Sequence, residues 1–297
     1  MKKIKLSRNM RENLIGYSFI SIWIIGVLIF MIYPLIMSIY YSLSDVRILG
    51  TGIDVQFHGF TNFINLFKLE EGFVFMELLV DFLKDITLQA PIIIVFSVLI
   101  AVLLNQNIKA RGFFRSVFFL PVIIASGPVI NELVSQGAGG ANVFESYGFI
   151  QIIEQSLNPV FAEPIINLFS QIIIIFWFSG VQILIFLAGL QKVDRQIYEA
   201  AKVDGAGAWE TFWKITLPTL KSLIFVNFIY TIVLLATFTD NAVIQSIRSN
   251  MFNQRPGTGY GFATAMAWVY FLVIMALIGI VALIFRPSKI SKKKGAK

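Results

Sequence analysis

The residue types that carry most enzyme chemistry are scarce in this sequence. Cysteine is absent and histidine occurs once, at His58, so neither a thiolate nucleophile nor a histidine-rich metal site can be built from this chain alone. No Gly is followed by Lys, which excludes a G-x-x-x-x-G-K-[ST] phosphate loop, and no H-E-x-x-H or G-x-S-x-G motif occurs. We therefore expect no catalytic residue, no metal site and no cofactor bound by this chain.

One polar segment is suited instead to holding a partner protein. Gln191–Lys221 lies between two long apolar runs and mixes charged with apolar residues. Good helix formers predict a short helix at Arg195–Val203, and Gly205 can end it because glycine takes a positive φ at little cost. Ala208–Thr216 then predicts a second short helix, with Pro218 breaking the chain before the next apolar run. The segment is expected to form a helical hairpin.

The predicted helical hairpin carries the side chains of a docking surface. Ala200 and Ala201 leave room for a partner backbone, and Glu199 offers a carboxylate that could pair with a partner cation. Apolar knobs complete the surface: Ile197, Trp209, Phe212 and Trp213. An amphipathic loop that lies on the membrane without a partner fits the same residues, and the pattern alone does not separate the two.

The rest of the chain has the composition of a membrane protein. Of its 297 residues, 57% are hydrophobic and 14% are charged, whereas a soluble domain is about half apolar and about a quarter charged. Six runs are free of charged residues: Asn13–Ser44, Ile86–Ile108, Ser116–Asn131, Pro164–Gln191, Ser222–Thr239 and Pro256–Phe285. A helix of about 20 apolar residues crosses the hydrocarbon core. The sequence therefore predicts an all-α polytopic protein with six transmembrane helices.

The positive charges predict an orientation for these spans. Nineteen of the 24 Lys and Arg residues fall on one side of the membrane if both termini are cytoplasmic. Cytoplasmic loops carry such an excess, which accounts for the net charge of +7 without nucleic acid. We expect a single transmembrane domain over residues 1–297. Its cytoplasmic parts include residues 1–13, 191–221 and the basic tail 286–297, and its long external loops are Asp45–Lys84 and Gln136–Glu163.

The helical hairpin also resembles a known docking motif. Glu199-Ala200-Ala201-x3-Gly205-x9-Ile215-x-Leu217-Pro218 closely resembles the EAA loop of permease subunits of bacterial ATP-binding-cassette importers. Tyr198–Ala206 is similar to the carbohydrate branch of that family, of the maltose and glycerol-phosphate type. The likeness extends to Tyr41-Ser42-Leu43-Ser44-Asp45, Gly59-Phe60-Thr61-Asn62-Phe63 and Gly261–Ala267. Val193-Asp194-Arg195 and Ser246–Gln254 depart from the usual family pattern.

This resemblance implies that the work of transport is divided among several chains. Two separate ATPase subunits would bind ATP and Mg and each would receive an EAA loop, so this chain itself would not be an enzyme. A second, related permease subunit and an extracytoplasmic solute-binding protein would complete an importer of a carbohydrate, expected to be an oligosaccharide, in a bacterial plasma membrane. The residues expected to couple this chain to the ATPases are Tyr198, Glu199, Ala200, Ala201, Asp204, Gly205, Ala206, Ile215, Leu217 and Pro218.

Polar residues near the last two spans are candidates for the substrate path. Asp240 follows the inner end of the fifth span by about 19 residues, or ~28 Å of helix, and a carboxylate at that depth is costly in contact with lipid. It could equally end the span and meet water. Sugars need hydrogen-bonding partners and often an aromatic face. The candidates are Asn227, Asp240, Asn241, Gln245, Trp268 and Tyr270.

Two other transport functions are consistent with part of the sequence evidence. An ATP-driven importer for a non-sugar solute could carry a similar helical hairpin. A secondary transporter driven by an ion gradient would show inverted repeats, broken helices and intramembrane charges. The sequence shows no clear internal repeat, and Asp240 is the one carboxylate expected within a span.

Overall fold

The structure is a computed structural model that describes residues 8–49, 52–106, 112–113, 116–117, 158–238, 241–253 and 255–285. Within these residues the chain is mostly helical, as predicted. The principal helices are α1 (Arg8–Val27), α2 (Tyr33–Ser42), α3 (Thr61–Asn65), α4 (Glu70–Asn105), α5 (Pro159–Gln191), α6 (Arg195–Val203), α7 (Ala208–Thr211), α8 (Leu217–Ala236), α9 (Ala242–Met251) and α10 (Tyr260–Ile284).

Four helical stretches among the described residues are long and apolar enough to cross a membrane. They are Gly16–Ser42, Glu70–Asn105, Ala208–Ala236 and Tyr260–Ile284. Each overlaps one predicted span without covering all of it, and the predicted span Pro164–Gln191 lies within α5. The third predicted span, Ser116–Asn131, lies outside the described residues apart from its first two. The prediction of six transmembrane helices therefore stays a prediction.

A sharp bend separates α5 from α6. The apolar part of α5 whose side chains are described, Ile175–Gln191, is long enough to cross a membrane only when it is taken together with Arg195–Val203. The axes of this pair of helices differ by 69°. The second member carries Arg195, Glu199 and Lys202 within nine residues, and charged side chains are costly in hydrocarbon. The bend therefore marks the end of the apolar helix and the start of the predicted docking segment.

A β-hairpin corrects the all-α prediction. Strand β1 (Ser44–Leu49) pairs antiparallel with β2 (Gly52–Phe57), with Val46 opposite Val55. Along both strands β-branched residues alternate with polar ones, a period of two that suits a half-buried hairpin. No strand was predicted within the external loop Asp45–Lys84, so this alternation was missed.

The start of α4 lies within the other end of the same predicted external loop. The helix begins at Glu70 and runs for 36 residues, about 54 Å at 1.5 Å per residue. Glu70 and Glu71 occupy its first turn, where carboxylates interact favourably with the positive end of the helix dipole. Because the hydrocarbon core is only ~30 Å thick, part of α4 must extend beyond it.

Two prolines follow widened helical turns. Leu28–Ile32 and Phe212–Thr216 form π-helical turns, and Pro34 and Pro218 stand two residues after them. Proline lacks an N–H group, and its ring clashes with the carbonyl group four residues before it in a regular helix. A widened turn of i→i+5 hydrogen bonds relieves both problems within a continuous helix.

The turn at Phe212–Thr216 corrects the prediction for Pro218. A second short helix at Ala208–Thr216, separated by Pro218 from the next span, was expected, but Ala208–Ala236 is one continuous helix. The N–H of Leu217 donates to the carbonyl oxygen of Phe212 and carries the helix past the proline. The docking segment is thus directly continuous with a predicted span.

The described residues form two compact units. The first draws on Met1–Leu79 and Ala242–Leu272, and the second on Val80–Asn241 and Val273–Lys297. In the second unit, residues from α4, α5 and α8 form one apolar core. Its buried members are Ile94, Val98, Ala101, Leu104, Ile183, Phe186, Leu187, Leu190 and Leu220.

Close helix packing ties α8 to this core. A Cβ atom on Gly189 of α5 would collide with the side chain of Leu223 of α8, so glycine permits the two helices to approach each other. Phe212, in the widened turn, packs partly buried against the same core. The docking segment is therefore joined to the apolar helices by side-chain contact as well as by the continuous backbone.

In the first unit, three segments that carry the family resemblance meet at one point. The Nδ2 group of Asn62 donates to the carbonyl oxygens of Ser42, at 3.0 Å, and Ser44, at 2.9 Å. A Cβ atom on Gly261 would collide with the same Ser44 carbonyl oxygen. Asn62 is buried. Its two hydrogen bonds supply donors to backbone carbonyl groups at the junction between α2 and β1. This contact explains why an amide and a glycine stand at these two positions.

Candidate functional site

The helical hairpin (Arg195–Thr216) begins with a capped helix. The side chain of Asp194 accepts a hydrogen bond from the backbone N–H of Gln196 at 3.0 Å. An aspartate at this position satisfies a free N–H group of the first turn and complements the helix dipole. Asp194 thus supplies a local start signal in the segment that departs from the usual family pattern.

The end of α6 explains the spacing of the motif. Gly205 has φ +81°, the positive value predicted for it. Its N–H donates to the carbonyl oxygen of Lys202 at 3.1 Å, and the N–H of Ala206 donates to the carbonyl oxygen of Ala201 at 2.9 Å. This pair of bonds is a Schellman motif, which closes a helix on a left-handed residue. Gly205 is therefore needed to turn the chain back toward α7.

A side-chain contact holds the two arms of the helical hairpin together. The hydroxyl groups of Tyr198 and Thr216 lie 3.2 Å apart. Thr216 is buried and Tyr198 is half-buried, so this hydrogen bond is shielded from competing water. Tyr198 thus faces back into the chain and orients α6 on the start of α8, rather than offering its hydroxyl group to a partner.

The outer surface of the helical hairpin is apolar at its tips. Val203 is 87% exposed and Trp209 is 73% exposed. The rings of Trp209 and Trp213 meet edge to face with centroids 5.5 Å apart. Glu199 and Ala200 are exposed on α6. Exposed aromatic and aliphatic side chains of this kind are typical of a protein-binding surface.

The remaining motif residues take other positions. Asp204 is exposed at the C-cap of α6, and Ala206 is half-buried. Ile215 and Leu217 are half-buried in the turn that leads into α8, whereas Pro218 is exposed. The motif therefore combines residues that shape the helical hairpin with residues that its surface presents, and spacing alone did not distinguish these two groups.

The predicted path residues of the second unit are buried where they are described. Asn227 lies in α8 and is fully buried. Asn241 is 8% exposed, and its Nδ2 group donates to the carbonyl oxygen of Leu235 at 3.4 Å. Asp240, the predicted intramembrane carboxylate, lies outside the described residues.

The other predicted path residues belong to the first unit. Gln245 is exposed on α9, and Tyr270 is buried in α10. The indole N–H of Trp268 donates to the hydroxyl oxygen of Ser38 at 3.2 Å, and its ring meets Phe271 edge to face. The contacts of Trp268 thus tie α10 to α2. Of the five described candidates, Asn227 and Asn241 belong to the second unit and Gln245, Trp268 and Tyr270 to the first, and their role in a substrate path stays a prediction.

A buried polar cluster surrounds Asn227. The Nε2 group of Gln182, in α5, donates to the hydroxyl oxygen of Thr231 at 2.9 Å, and Thr231 lies one helical turn beyond Asn227. All three side chains are fully buried. Within the described residues, the Oε1 atom of Gln182 and both amide atoms of Asn227 have no hydrogen-bond partner. Each such group costs about 1–3 kcal/mol.

Gln182 and Thr231 were not among the residues predicted to line the substrate path. Both lie inside charge-free runs that predict apolar spans. An amide side chain such as that of Gln182 within a span is nevertheless itself an indication of a functional site. What the sequence could not show is that they face each other across α5 and α8. The pairing makes the cluster a better-supported candidate for a polar path than Asn227 alone.

The long apolar helices are those of an integral membrane protein, and the helical hairpin beside them exposes apolar side chains. Residues 73–288 match the family described as binding-protein-dependent transport system inner membrane component. The chain belongs to this family.

Relatives match over most of their length. The chain is 33% identical to a probable ABC transporter permease protein, YesP, of Bacillus subtilis, over 94% of this chain and 92% of that protein. It is 30% identical to the lactose transport system permease protein LacF of Rhizobium radiobacter, over 82% of this chain and 77% of LacF. It is 30% identical to the multiple sugar-binding transport system permease protein MsmF of Streptococcus mutans, over 94% and 95% of the two chains.

A solved structure shares the fold. A chain of a bacterial ABC transporter involved in the import of the acidic polysaccharide alginate superposes with a TM-score of 0.60. The match covers 96% of this chain and 99% of that chain at 20% sequence identity. At this identity the likeness concerns the fold alone.

Proposed function

We propose that this chain is a permease subunit of an ATP-driven importer that passes a carbohydrate from an extracytoplasmic binding protein into the cytoplasm. The observation that carries the proposal is the rigid helical hairpin with exposed apolar tips, in a chain of the binding-protein-dependent transport family. The names of LacF and MsmF support a sugar as the cargo.

The proposed topology has six transmembrane helices with both termini and the helical hairpin in the cytoplasm of a bacterial cell. The distribution of Lys and Arg residues supports this orientation. The helical hairpin then faces the compartment that holds ATP. Two ATPase subunits would bind ATP and Mg there, and a second, related permease subunit would complete the pathway.

The contacts of the helical hairpin suggest how movement of an ATPase would reach the membrane. An ATPase that holds Val203 and Trp209 would push on α6, whose far side is bonded to Thr216 through Tyr198. Phe212 packs on the apolar core, and Ala208–Ala236 is one continuous helix. Displacement of the helical hairpin would therefore move α8 with it, because its second arm and α8 form one continuous helix. ATP binding would favour one arrangement of the spans and hydrolysis the other.

The buried polar cluster is the proposed part of the substrate path in this unit. Gln182, Asn227 and Thr231 are neutral hydrogen-bonding side chains, which suit the hydroxyl groups of a sugar. All three side chains are fully buried, so a sugar would reach them only after the surrounding helices move. Unpaired amide atoms would gain partners when a sugar or water enters.

Reconstitution tests the proposal. We expect the complete transporter in proteoliposomes to import, with ATP, the sugar that its binding protein retains. Glu199→Lys should abolish this uptake because it reverses the charge on the docking surface, whereas Glu77→Lys, a charge reversal at an exposed position of α4, should preserve it. Uptake that continues without the ATPase subunits would contradict the proposal and favour an ion-driven transporter.

A further inference from the structure

A polar cleft is formed within the first unit and takes no part in the proposed coupling. It lies between α9 and the start of α4 and has a volume of about 730 Å³. Small-molecule sites typically have volumes of about 300–1,000 Å³. The cleft is therefore large enough for a ligand of more than one sugar ring.

One wall of the cleft is a polar face of α9 and the residues after it. Gln245, Ser246, Ser249, Asn250 and Asn253 line the cleft and recur at intervals of one, three and four residues. This spacing places side chains on one side of a helix. Amide and hydroxyl groups donate and accept hydrogen bonds without carrying charge, as recognition of a polyhydroxylated ligand requires.

The other wall adds an apolar patch. Val74 and Leu78 lie one helical turn apart on α4 and line the cleft. Val74 is 48% exposed, so its apolar surface is available to a ligand. A sugar ring has a hydrogen-bonding edge and a less polar C–H face. A polar wall opposite an aliphatic one matches both.

One residue that lines the cleft, Asn250, has a buried amide oxygen without a hydrogen-bond partner in the described part of the chain. Asn250 is 6% exposed, and its Nδ2 group donates to the carbonyl oxygen of Ser246 at 2.9 Å. Its Oδ1 atom is buried and has no hydrogen-bond partner among the described residues. Buried amide oxygens are normally paired. Rotation of the Asn250 side chain toward the cleft would let a ligand hydroxyl group supply the missing donor.

The charges of the cleft favour a neutral ligand. Arg255 is the cation among the described lining residues, and its guanidinium group pairs with the Glu71 carboxylate at 2.8 Å. Glu70 adds a second carboxylate. An anionic saccharide would meet one more carboxylate than cation and would have to compete with Glu71 for Arg255.

We propose that this cleft is a binding subsite for a neutral oligosaccharide. The polar residues of α9 supply its hydrogen bonds, and Val74 and Leu78 contact the C–H face of a sugar ring. The inference rests on the proposed function, because it takes the cargo to be a carbohydrate, and it adds a saccharide site outside the buried polar cluster.

Saturation-transfer NMR on the intact transporter in nanodiscs, without its binding protein, tests the subsite. The neutral probes are lactose, maltotriose and arabinotriose, and the acidic probe is trigalacturonate. We expect at least one neutral probe to bind and trigalacturonate not to bind. Asn250→Leu and, separately, Ser249→Val should weaken the Kd of the neutral probe by about tenfold or more. Arg248→Ala, on α9 but outside the cleft lining, should leave the Kd unchanged.

Three NMR results would each overturn the inference: no neutral probe binds, binding is the same in the Asn250 and Ser249 variants, or trigalacturonate binds equally well. Cross-linking of the cleft to the solute-binding protein, with no sugar bound, would make it a protein-docking surface and overturn it as well. Assembly of each variant with the ATPase subunits checks folding. Intact ATP-driven uptake without such binding contradicts this inference alone, whereas loss of sugar uptake by the wild type contradicts the proposed function.

Discussion

The helical hairpin and the buried polar cluster lie in one unit. The first exposes apolar side chains, whereas the second buries polar ones. At the helical hairpin, the apolar side chains of Val203 and Trp209 are exposed. In the cluster, about 16 Å or more further along the helix from Thr216, the polar side chains of Asn227 and Gln182 are fully buried without all their hydrogen bonds. Both arrangements are unfavourable for an isolated chain. Each marks a place where another molecule would complete the interactions.

The two regions differ in how firmly they are held. A cap, a Schellman motif and the Tyr198–Thr216 bond hold the helical hairpin in one shape. In the cluster, one side-chain hydrogen bond joins Gln182 to Thr231. A surface that transmits force must be stiff, whereas a path that opens and closes needs polar groups that can exchange partners. Substitutions in each region test this difference, and their expected effects range from complete loss of transport to a modest loss of coupling.

Substitution of Gly205 by proline should abolish transport. Proline cannot adopt φ +81° and lacks the N–H that bonds to Lys202, so uptake should fall by more than about 100-fold. Gly207→Ala is the matched control, because Gly207 has φ −70° and open space around its Cβ position. Uptake assays in proteoliposomes measure both. Normal uptake by Gly205→Pro would remove the helical hairpin from the mechanism.

Substitution of Val203 by aspartate should weaken binding of the ATPase subunits. Burying a carboxylate in an apolar interface is unfavourable, and we expect about 10- to 100-fold weaker association. Phe252→Asp is the control, since Phe252 is also highly exposed, at 75%, but lies in the first unit. Surface plasmon resonance with the permease in nanodiscs gives the two affinities. Equal loss in both variants would count against a specific docking surface.

Substitution of Asn227 by leucine should separate stability from transport. The change removes two unpaired buried polar atoms, so the free energy of unfolding should rise by about 1–3 kcal/mol while transport slows by about tenfold. Thr231→Val should instead lower stability, because it leaves the Nε2 group of Gln182 without its acceptor. Thermal unfolding and sugar uptake give the two readouts. Unchanged transport in Asn227→Leu would exclude Asn227 from the path.

Substitution of Tyr198 by phenylalanine should loosen coupling without preventing assembly. It removes one hydrogen bond, worth about 0.5–1.5 kcal/mol, and we expect about two- to fivefold more ATP hydrolysed per sugar imported. Thr216→Val should have the same effect. A double-mutant cycle then checks the pair, since the combined variant should be no worse than either alone. Fully additive effects would mean that the two residues act separately.

Sequence reasoning predicted features whose causes are local. The bounds of α6 and the positive φ of Gly205 follow from helix propensity and the conformational freedom of glycine, and both are observed. Apolar helices occupy the described charge-free runs because the cost of burying charge acts on each residue separately. The β-hairpin was missed because its two-residue period covers only six residues in each strand, and the acidic charges of the segment dominated its interpretation.

The sequence by itself determined where the described apolar helices lie, where α6 starts and ends, and, through its motifs, the family. Only the tertiary structure decided that Gln182 faces Thr231, that Asn62 binds the carbonyl groups of Ser42 and Ser44, and that α9 lines a cleft with the start of α4. The first group depends on each residue and its near neighbours in the chain. The second depends on contacts between segments far apart in sequence, which no local pattern encodes.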